Sequence, residues 1–552
     1  MSNLEIPIGK RTFAYRFFEM LPGITSWGSL ILLVVLSIFN PFAAGVYVLA
    51  VTVTVLVKAI GIAFHTLTGS VKLHRAQMID WKERLTQLQD AKVSLKTFQV
   101  LEAKSSDVQT HLHNLQQVAA QPMQYPKPSQ LYNAVIIATY NESYDVLKET
   151  IDSVVNTTYN NQQIILVLAY EERGGIETEK VARRLQKDYR DTFYSFIPVR
   201  HPDNMPGEVR GKGGNITYAG EHLASWLCEK HIPYEDVIVT TLDSDNRPHR
   251  TYFDYLAYEY IVHENRKQLA YQPVSLFLNN IWDVPAPMRV VATGNSFWNI
   301  ISSMRPHTLR NFASHSQPMS ALVEMDFWST RTIVEDGHQY WRSYFFFHGD
   351  YEVVPIYVPI YQDAVLSDTY VKTLKAQFVQ LRRWAYGASD VPYVATRLFT
   401  RDRKVPFWAG VSRLVRLLDG HVTLAVVALI VTFGGWVPLL INTEAARSVV
   451  ANQLPEVLSV IQRLAMIGLL LTVFLAFKML PPRPSRYKRH RTLGMILQWV
   501  LMPVTSICYS AAAALYSQTR LLLGIYLDRF DVTEKVTIQA IQQSKSVTRR
   551  KK

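Results

Sequence analysis

An α/β domain flanked by membrane-crossing helices is the fold class this sequence predicts, and three observations predict it. Dense apolar blocks lie near both ends of the 552 residues. The middle alternates strand-like and helix-like hydrophobic patterns. One β-branched run ends in paired carboxylates, Asp243 and Asp245, where a parallel sheet places its ligands.

Single domains usually hold about 100 to 200 residues, so a chain of this length has room for a soluble domain plus membrane segments. Mean hydropathy is near zero at +0.02, yet the apolar residues are unevenly spread. The net charge is +13, and Arg483, Arg486, Lys488, Arg489 and Arg491 stand beside an apolar block. Such clusters mark the cytoplasmic side of a membrane. No nucleic-acid signature accompanies the charge, so membrane lipid rather than nucleic acid is the expected partner. The two cysteines, Cys228 and Cys508, form no CxxC or His/Cys ligand spacing, which argues against a disulfide framework and against structural zinc. The opening MSNLEIPIGKRTFAYRFFEM lacks a short apolar run with a small-residue cleavage site and does not read as a removable signal peptide.

Residues 27–39 and 42–66 are apolar and are separated by Asn40-Pro41, a turn-favouring dipeptide, so residues 1–70 read as a transmembrane hairpin. Lys58 falls inside the second arm and has to face protein or snorkel. Residues 71–130 read as an amphipathic helical linker that ends in the proline-rich QPMQYPKPSQ. Beyond the middle domain (131–400), VPFWAGVSRLVRLL (405–418) carries Arg413 and Arg416 on an apolar background and suits an interface helix. Spans at 421–441 and 458–480 follow, joined by a connection containing Glu444 and Glu456. A further apolar stretch, 492–516, contains Pro503. The 401–525 region is thus membrane-associated, and 526–552 is a basic tail. With the loop 483–491 in the cytoplasm, two arrangements remain: a single crossing that leaves the tail outside, or a hairpin bent at Pro503 that returns it. The cytoplasmic tail is preferred, because VTRRKK favours the inside.

In the middle domain, NAVIIATY (133–140) reads as a buried strand. The next segment sets Val146, Leu147, Thr150, Ile151, Val154 and Val155 on one helical face. QQIILVLAY (162–170) is a second buried strand, so the unit is a right-handed crossover in a parallel sheet. Tyr140, Asn141, Glu142, Glu171 and Glu172 then lie at the carboxyl ends, where ligands bind. A third strand, 236–242, runs into Asp243-Ser244-Asp245. Two carboxylates so placed suit one hard cation, Mg2+ or Mn2+, completed by water and phosphate oxygens. Taken alone, the pair is a weak signal that reads first as a solvated turn.

Ahead of it, VRGKGGNITYAGEHL flanks Lys212 with glycines at a helix start, a combination that suits phosphate. The Walker spacing is absent. Further on, TIVEDGHQYW presents Glu335 and Asp336; a carboxylate there can take the proton from an attacking hydroxyl, and Asp336 is the candidate base. In QLRRW, Gln380, Arg383 and Trp384 share one helical face. An arginine binds phosphate oxygens and an indole packs on a sugar ring, although the same face suits the lipid headgroup layer.

In order, ATYNE, GKGGN, LDSD, ED and QLRRW form a series that resembles the processive family 2 glycosyltransferases: cellulose, hyaluronan and chitin synthases. The resemblance spans residues 133–390, and RFDVTEK (529–535) is similar to the segment after the last apolar region of such enzymes. It implies a GT-A catalytic domain in the cytoplasm of a multi-pass cell-membrane protein, an inverting mechanism, and a nucleotide-diphosphate sugar donor, UDP-sugar first, with Mg2+ or Mn2+. By motif, Asp243 and Asp245 hold metal and donor, Lys212 the diphosphate, and Asp336 is the base. Gln380 and Arg383 grip the diphosphate, Trp384 stacks on the acceptor, and Tyr140 and Glu142 line the nucleoside pocket. Two departures stand out. LAYEERGG replaces the usual acidic step after the second strand, leaving Glu171 or Glu172 to contact the base, or a different base in the donor. NFASHSQPMSALVEMDFW replaces the usual acceptor loop and offers His315, Ser316 and Gln317. The expected product is a growing polysaccharide. The alternatives are a single-sugar transferase with a lipid-linked acceptor and an inactive membrane scaffold.

Overall fold

The computed structural model describes residues 4–98, 105–443, 447 and 449–527. Two long helices come first, α1 (Phe13–Phe39) and α2 (Pro41–Met78). Three shorter ones follow: α3 (Trp81–Gln89), α4 (Ala91–Phe98) and α5 (Ser106–Ala120). Strand and helix then alternate through β1 (Tyr132–Thr139), α6 (Tyr144–Val155), β2 (Ile164–Glu171), α7 (Gly175–Asp188) and β3 (Ser195–His201). Next come α8 (Lys212–Glu229), β4 (Val237–Asp243), β5 (Arg247–Pro248), α9 (Tyr252–Val262) and β6 (Leu269–Leu276). The chain continues with α10 (Ala286–Ser303), β7 (Ser316–Pro318), α11 (Met319–Glu324), α12 (Glu335–Phe346) and β8 (Glu352–Tyr361). It closes with α13 (Tyr370–Ala385), α14 (Asp390–Leu398), α15 (Phe407–Phe433), α16 (Val437–Ile441), α17 (Val449–Met479) and α18, a helical run over His490–Leu523.

These elements form two compact units. The first comprises Leu4, Glu5, Val71–Leu276 and Arg305–Gln362. Its sheet has the order β3-β2-β1-β4-β7-β6-β8-β5, parallel across β3, β2, β1 and β4 and mixed beyond. All eight residues of β2 are buried, which is why that strand reads as an unbroken apolar run. One core layer joins Ile136, Val167 and Val239 of the sheet to Ile216, Leu223 and Leu227 of α8 and to Met319 and Leu322 of α11. Burial of each such side chain contributes about 1.5–3 kcal/mol, so a charge at Ile216 would break the layer. On α6, Leu147, Thr150, Ile151 and Val154 of the expected face are buried, while Val146 and Val155 are half-buried at its edges.

The second unit comprises Ile6–Ser70, Phe277–Met304 and the chain from Asp363 onward. Residues 277–304 and 363–400 therefore belong to this unit. Among the described residues four helices are long and apolar enough to cross a membrane: α1, α2, α15 and α18. Lys58, within α2, reaches Asp419 Oδ2 at 3.2 Å. The interface helix expected over 405–418 and the span expected from 421 are one helix, α15; its two arginines interrupt the apolar pattern without interrupting the backbone. No hairpin forms at Pro503. That proline stands at the start of a short α-helical segment, Met502–Thr505, where its missing N–H costs little. A 3-10 turn (Gln498–Leu501) and a π turn (Ser506–Ala511) flank it, and the helical run continues to Leu523. Glu444, the RFDVTEK segment and the tail VTRRKK lie outside the described residues.

Candidate active site

Strand register brings the predicted loops to one edge. Thr139 pairs with Tyr170 and Ala138 with Asp243, so the turns after β1, β2 and β4 emerge side by side at the carboxyl end of the sheet. Glu142 ties two of them together. Its Oε2 accepts from Thr139 Oγ1 at 2.6 Å, Tyr140 N at 2.8 Å and Asn141 N at 3.2 Å. Its Oε1 accepts from Ser244 Oγ at 3.1 Å. The carboxylate thus shapes the turn around Asp243-Ser244-Asp245, and Thr150 Oγ1 holds the same turn by donating to Ser244 O at 2.6 Å.

Lys212 opens α8 with a side chain only 8% exposed. Its ammonium stands 2.9 Å from Asp243 Oδ1 and 3.0 Å from Asp336 Oδ2. Burial alone would push this amine down, but the facing carboxylates Asp243, Asp336 and Glu335 outweigh it and hold the pKa well above the usual lysine range. Three motifs that are far apart in sequence therefore meet at one charged centre. Gly213 permits the approach: a Cβ there would lie 2.4 Å from Ser329 O and 3.3 Å from Glu335 Cβ. Asn215, one turn into α8, donates to Ala169 O at 2.9 Å and to Thr139 O at 3.4 Å, which pins the helix start to the ends of β2 and β1.

Glu335 and Asp336 form the first turn of α12, where the helix dipole favours negative charge. Glu335 is buried, whereas the Asp336 side chain keeps 18% exposure, enough for a substrate hydroxyl to meet it. His315 lies behind it and not at an acceptor position as expected. Its side chain has no exposed surface, and both ring nitrogens are engaged. Nε2 accepts from Trp328 Nε1 at 3.1 Å, so Nδ1 carries the proton and donates to Phe312 O at 2.9 Å. Burial lowers the imidazole pKa, with Asp336 opposing and Lys212 reinforcing the shift. A neutral ring, its Nδ1 3.6 Å from Asp336 Oδ1, backs the carboxylate without neutralising it. Ser316 and Gln317 are likewise buried, in β7.

At the end of β2, Arg173 lies over the Tyr140 ring, 4.4 Å from its centroid, and its Nη2 donates to Glu171 Oε1 at 2.8 Å. Glu172 instead accepts from Arg200 Nη2 at 2.6 Å and from Asp203 N at 2.9 Å. Of the two glutamates, Glu171 is the one grouped with Tyr140. Gln380, Arg383 and Trp384 share α13, which belongs to the second unit. There Gln377 Nε2 donates to Gln380 Oε1 at 3.1 Å, and the Trp384 ring meets Phe277 at 5.9 Å.

Asp243 and Asp245 are two carboxylates on one turn, with side-chain exposure of 34% at Asp243 and Asp245 buried. Among the described residues no group of three or more His, Cys, Asp or Glu is placed to hold a metal. That donor set suits a small hard cation that keeps water and takes phosphate oxygens from a ligand, as Mg2+ does. Asn246 is a positioning group absent from the sequence reading. With its amide nitrogen toward Asp245 Oδ1 (3.1 Å) and its oxygen toward Asp243 N (3.1 Å), it braces both acids. Asn215, in GKGGN, and Trp328, beside His315, are further positioning groups whose roles arise only from tertiary contacts.

Residues 134–219, from β1 through the first half of α8, match the family model "Glycosyl transferase family 2". No curated protein sequence matches the chain. Among solved structures, the mannosyltransferase PcManGT from Pyrobaculum calidifontis, in complex with GDP-Man and Mn2+, is 15% identical, with 83% of this chain and 99% of that one covered and a TM-score of 0.39. Residues 1–349 of S. aureus TarS are 11% identical, with 72% and 93% covered and a TM-score of 0.33. The matched segment holds β1, β2 and β3 of the parallel half of the sheet and the start of α8 with Lys212, while β4 and its acidic turn follow beyond it. The chain is a glycosyltransferase whose residues 134–219 match family 2 and build the first strands of a mixed sheet, and it has helices towards both ends long and apolar enough to span a membrane.

Proposed function

We propose that the protein is a membrane-embedded, inverting transferase that extends a polysaccharide from a nucleotide-diphosphate sugar, UDP-sugar first, with its catalytic domain in the cytoplasm. The observation that carries this reading is the Lys212 ammonium between Asp243 and Asp336. A donor whose diphosphate lies against Lys212 and the α8 N-terminus has its anomeric carbon within reach of the Asp336 side of the site. The acceptor hydroxyl attacks that carbon from the face opposite the diphosphate. Its proton passes to Asp336, the bond from carbon to leaving oxygen breaks with inversion, and nucleoside diphosphate departs with the electron pair. Lys212 stabilises the charge that develops on the diphosphate. Mg2+ or Mn2+ held by Asp243 and Asp245 would add Lewis-acid neutralisation of the same charge. Glu142 and Asn246 keep the acidic turn in shape, and Tyr140 with Glu171 offers a ring and a carboxylate to the nucleoside base. Gln380, Arg383 and Trp384 are assigned the diphosphate and the acceptor sugar. With α17 as a further crossing, as the apolar stretch 458–480 predicts, the basic loop 483–491 and the catalytic domain share the cytoplasmic side.

Full-length protein in detergent, given UDP- and GDP-sugars in turn, tests the reading. Release of nucleoside diphosphate is expected from at least one donor, abolished by EDTA and restored by Mg2+ or Mn2+, with product of high mass. A chloroform-soluble product bearing one sugar would favour transfer to a lipid-linked acceptor instead. No release from any donor would overturn catalysis and leave the scaffold reading.

A further inference from the structure

The helix that presents Asp336 is fastened from an unexpected direction. Arg342, on α12, is almost fully buried, at 1% side-chain exposure, and its Nη1 pairs with Glu5 Oε1. The other arm of the guanidinium, Nη2, donates to three successive carbonyls: Met325 at 2.9 Å, Asp326 at 3.2 Å and Phe327 at 3.3 Å. Glu5 Oε2 accepts from Ser329 Oγ at 2.7 Å. Leu4 is buried beside Ala321 and Met325, with Phe346 and Phe347 packed against them. Two residues near the N-terminus thus clamp α12 to the segment 325–329.

That segment is under strain and lies behind the base. Asp326 and Phe327 hold φ of 61° and 52°, a left-handed conformation that persists in such residues only where neighbours enforce it. Trp328 follows; its indole donates to His315 Nε2 and its carbonyl accepts from Thr217 Oγ1 on α8 at 3.0 Å. His315 in turn stands behind Asp336. Ser329 O packs where a Cβ on Gly213 would fall, next to Lys212. One continuous path therefore runs from Glu5 through Arg342 and the 325–329 turn to His315 and Asp336.

We infer that Leu4-Glu5 is a strap whose carboxylate positions Asp336 for proton abstraction, acting through Arg342 and the 325–329 turn. The inference rests on the proposed role of Asp336. It makes Glu5 a positioning residue, covalently continuous with α1, the first candidate membrane span.

The test uses full-length Glu5→Gln, which keeps the size and removes the charge, and Leu4→Ser, which loosens the same strap without leaving a buried charge unpaired. Nucleoside diphosphate release gives kcat and donor KM, and calorimetric titration with UDP or GDP counts competent sites. Hydrogen exchange follows residues 325–336. For both variants the expectation is a tenfold or larger fall in kcat per titrated site, donor KM within twofold of wild type, and faster exchange confined to 325–336 and its contacts. A fall in kcat that merely tracks the loss of titratable sites would reduce the strap to a folding role and overturn the inference. Unchanged exchange at 325–336 would overturn it too. A wild-type chain that releases no nucleoside diphosphate would instead defeat the transferase reading, and exchange would still decide the strap.

Discussion

Lys212 Nζ stands 2.9 Å from Asp243 Oδ1, so the lysine of the glycine-flanked loop is a counter-charge of the acidic turn. Replacing it with methionine keeps most of the volume and leaves Asp243 and Asp336 facing each other without a cation. Nucleoside diphosphate affinity is expected to fall, and kcat/KM to drop by about 10²–10³, the scale found for losing one preorganised charge-stabilising donor. Steady-state release of nucleoside diphosphate, with calorimetry alongside, measures both. Wild-type kinetics in this variant would remove Lys212 from the donor site.

Asp336→Asn separates chemistry from binding. The side chain keeps its shape, yet it has no carboxylate to take a proton. A kcat lower by about 10²–10⁴ is expected with little change in nucleoside diphosphate affinity. Weakened nucleotide binding with near-normal kcat would mean that Asp336 serves the donor and that the base lies elsewhere.

Much of this site was legible in the sequence for a physical reason. β1, β2 and β4 are buried on both faces and read as unbroken β-branched runs, so their polar ends identify the ligand edge directly. β3, β6 and β8 were missed. Pro198 interrupts SFIPVRH, Pro273 interrupts β6, and Pro355 and Pro359 interrupt β8; proline removes a ladder donor and usually argues against a central strand. The sheet accommodates this with a register shift between Pro273 and Val274. His315 was misread because a histidine in a polar loop looks available. Only the tertiary placement of Trp328 and Phe312 shows that both ring nitrogens are taken. Ser314, at φ 68°, turns that histidine inward, and nothing in its identity announces so rare a backbone. In the helices, Arg413, Arg416 and Pro503 suggested breaks that the backbone does not make, since one helix tolerates local charge and π or 3-10 turns.

Two glycines near the site should respond to alanine in opposite ways. At Gly213 a Cβ would meet Ser329 O at 2.4 Å, and a backbone carbonyl cannot swing aside as a flexible side chain would. Gly213→Ala is expected to destabilise the protein by about 1–3 kcal/mol, the usual cost of overpacking. Gly337, inside α12, has nothing within 4 Å of the added Cβ. Gly337→Ala should stabilise by about 0.4–1 kcal/mol through the reduced entropy of the unfolded chain. Thermal melts of the two variants side by side check the contrast, and a shared direction of change would contradict it.

The last prediction concerns acid. His111, on α5, is buried with Nδ1 2.8 Å from Tyr258 OH and Nε2 2.6 Å from Gln87 Oε1. Burial, reinforced by the Arg84 charge, pulls its pKa down to about 4, and His249 is pulled to about 4 by burial and Arg250. Between an unfolded value of about 6.5 and these folded values, the unfolded chain binds protons that the folded one refuses. The contribution of each neutral ring is therefore complete above pH 6.5 and is lost as pH falls toward 4. Asp254 runs the other way: burial raises it to about 6, so the folded state holds its proton at acid pH, and this offsets one histidine below pH 6. The net expectation is a melting temperature that declines as pH drops from 6.5 to 4. His111→Asn removes one of the two opposing rings and should flatten that decline, by on the order of 3 kcal/mol at the acid end. Parallel pH profiles for wild type and variant would instead mean that His111 is charged in the folded state, with Tyr258 and Gln87 both accepting from it.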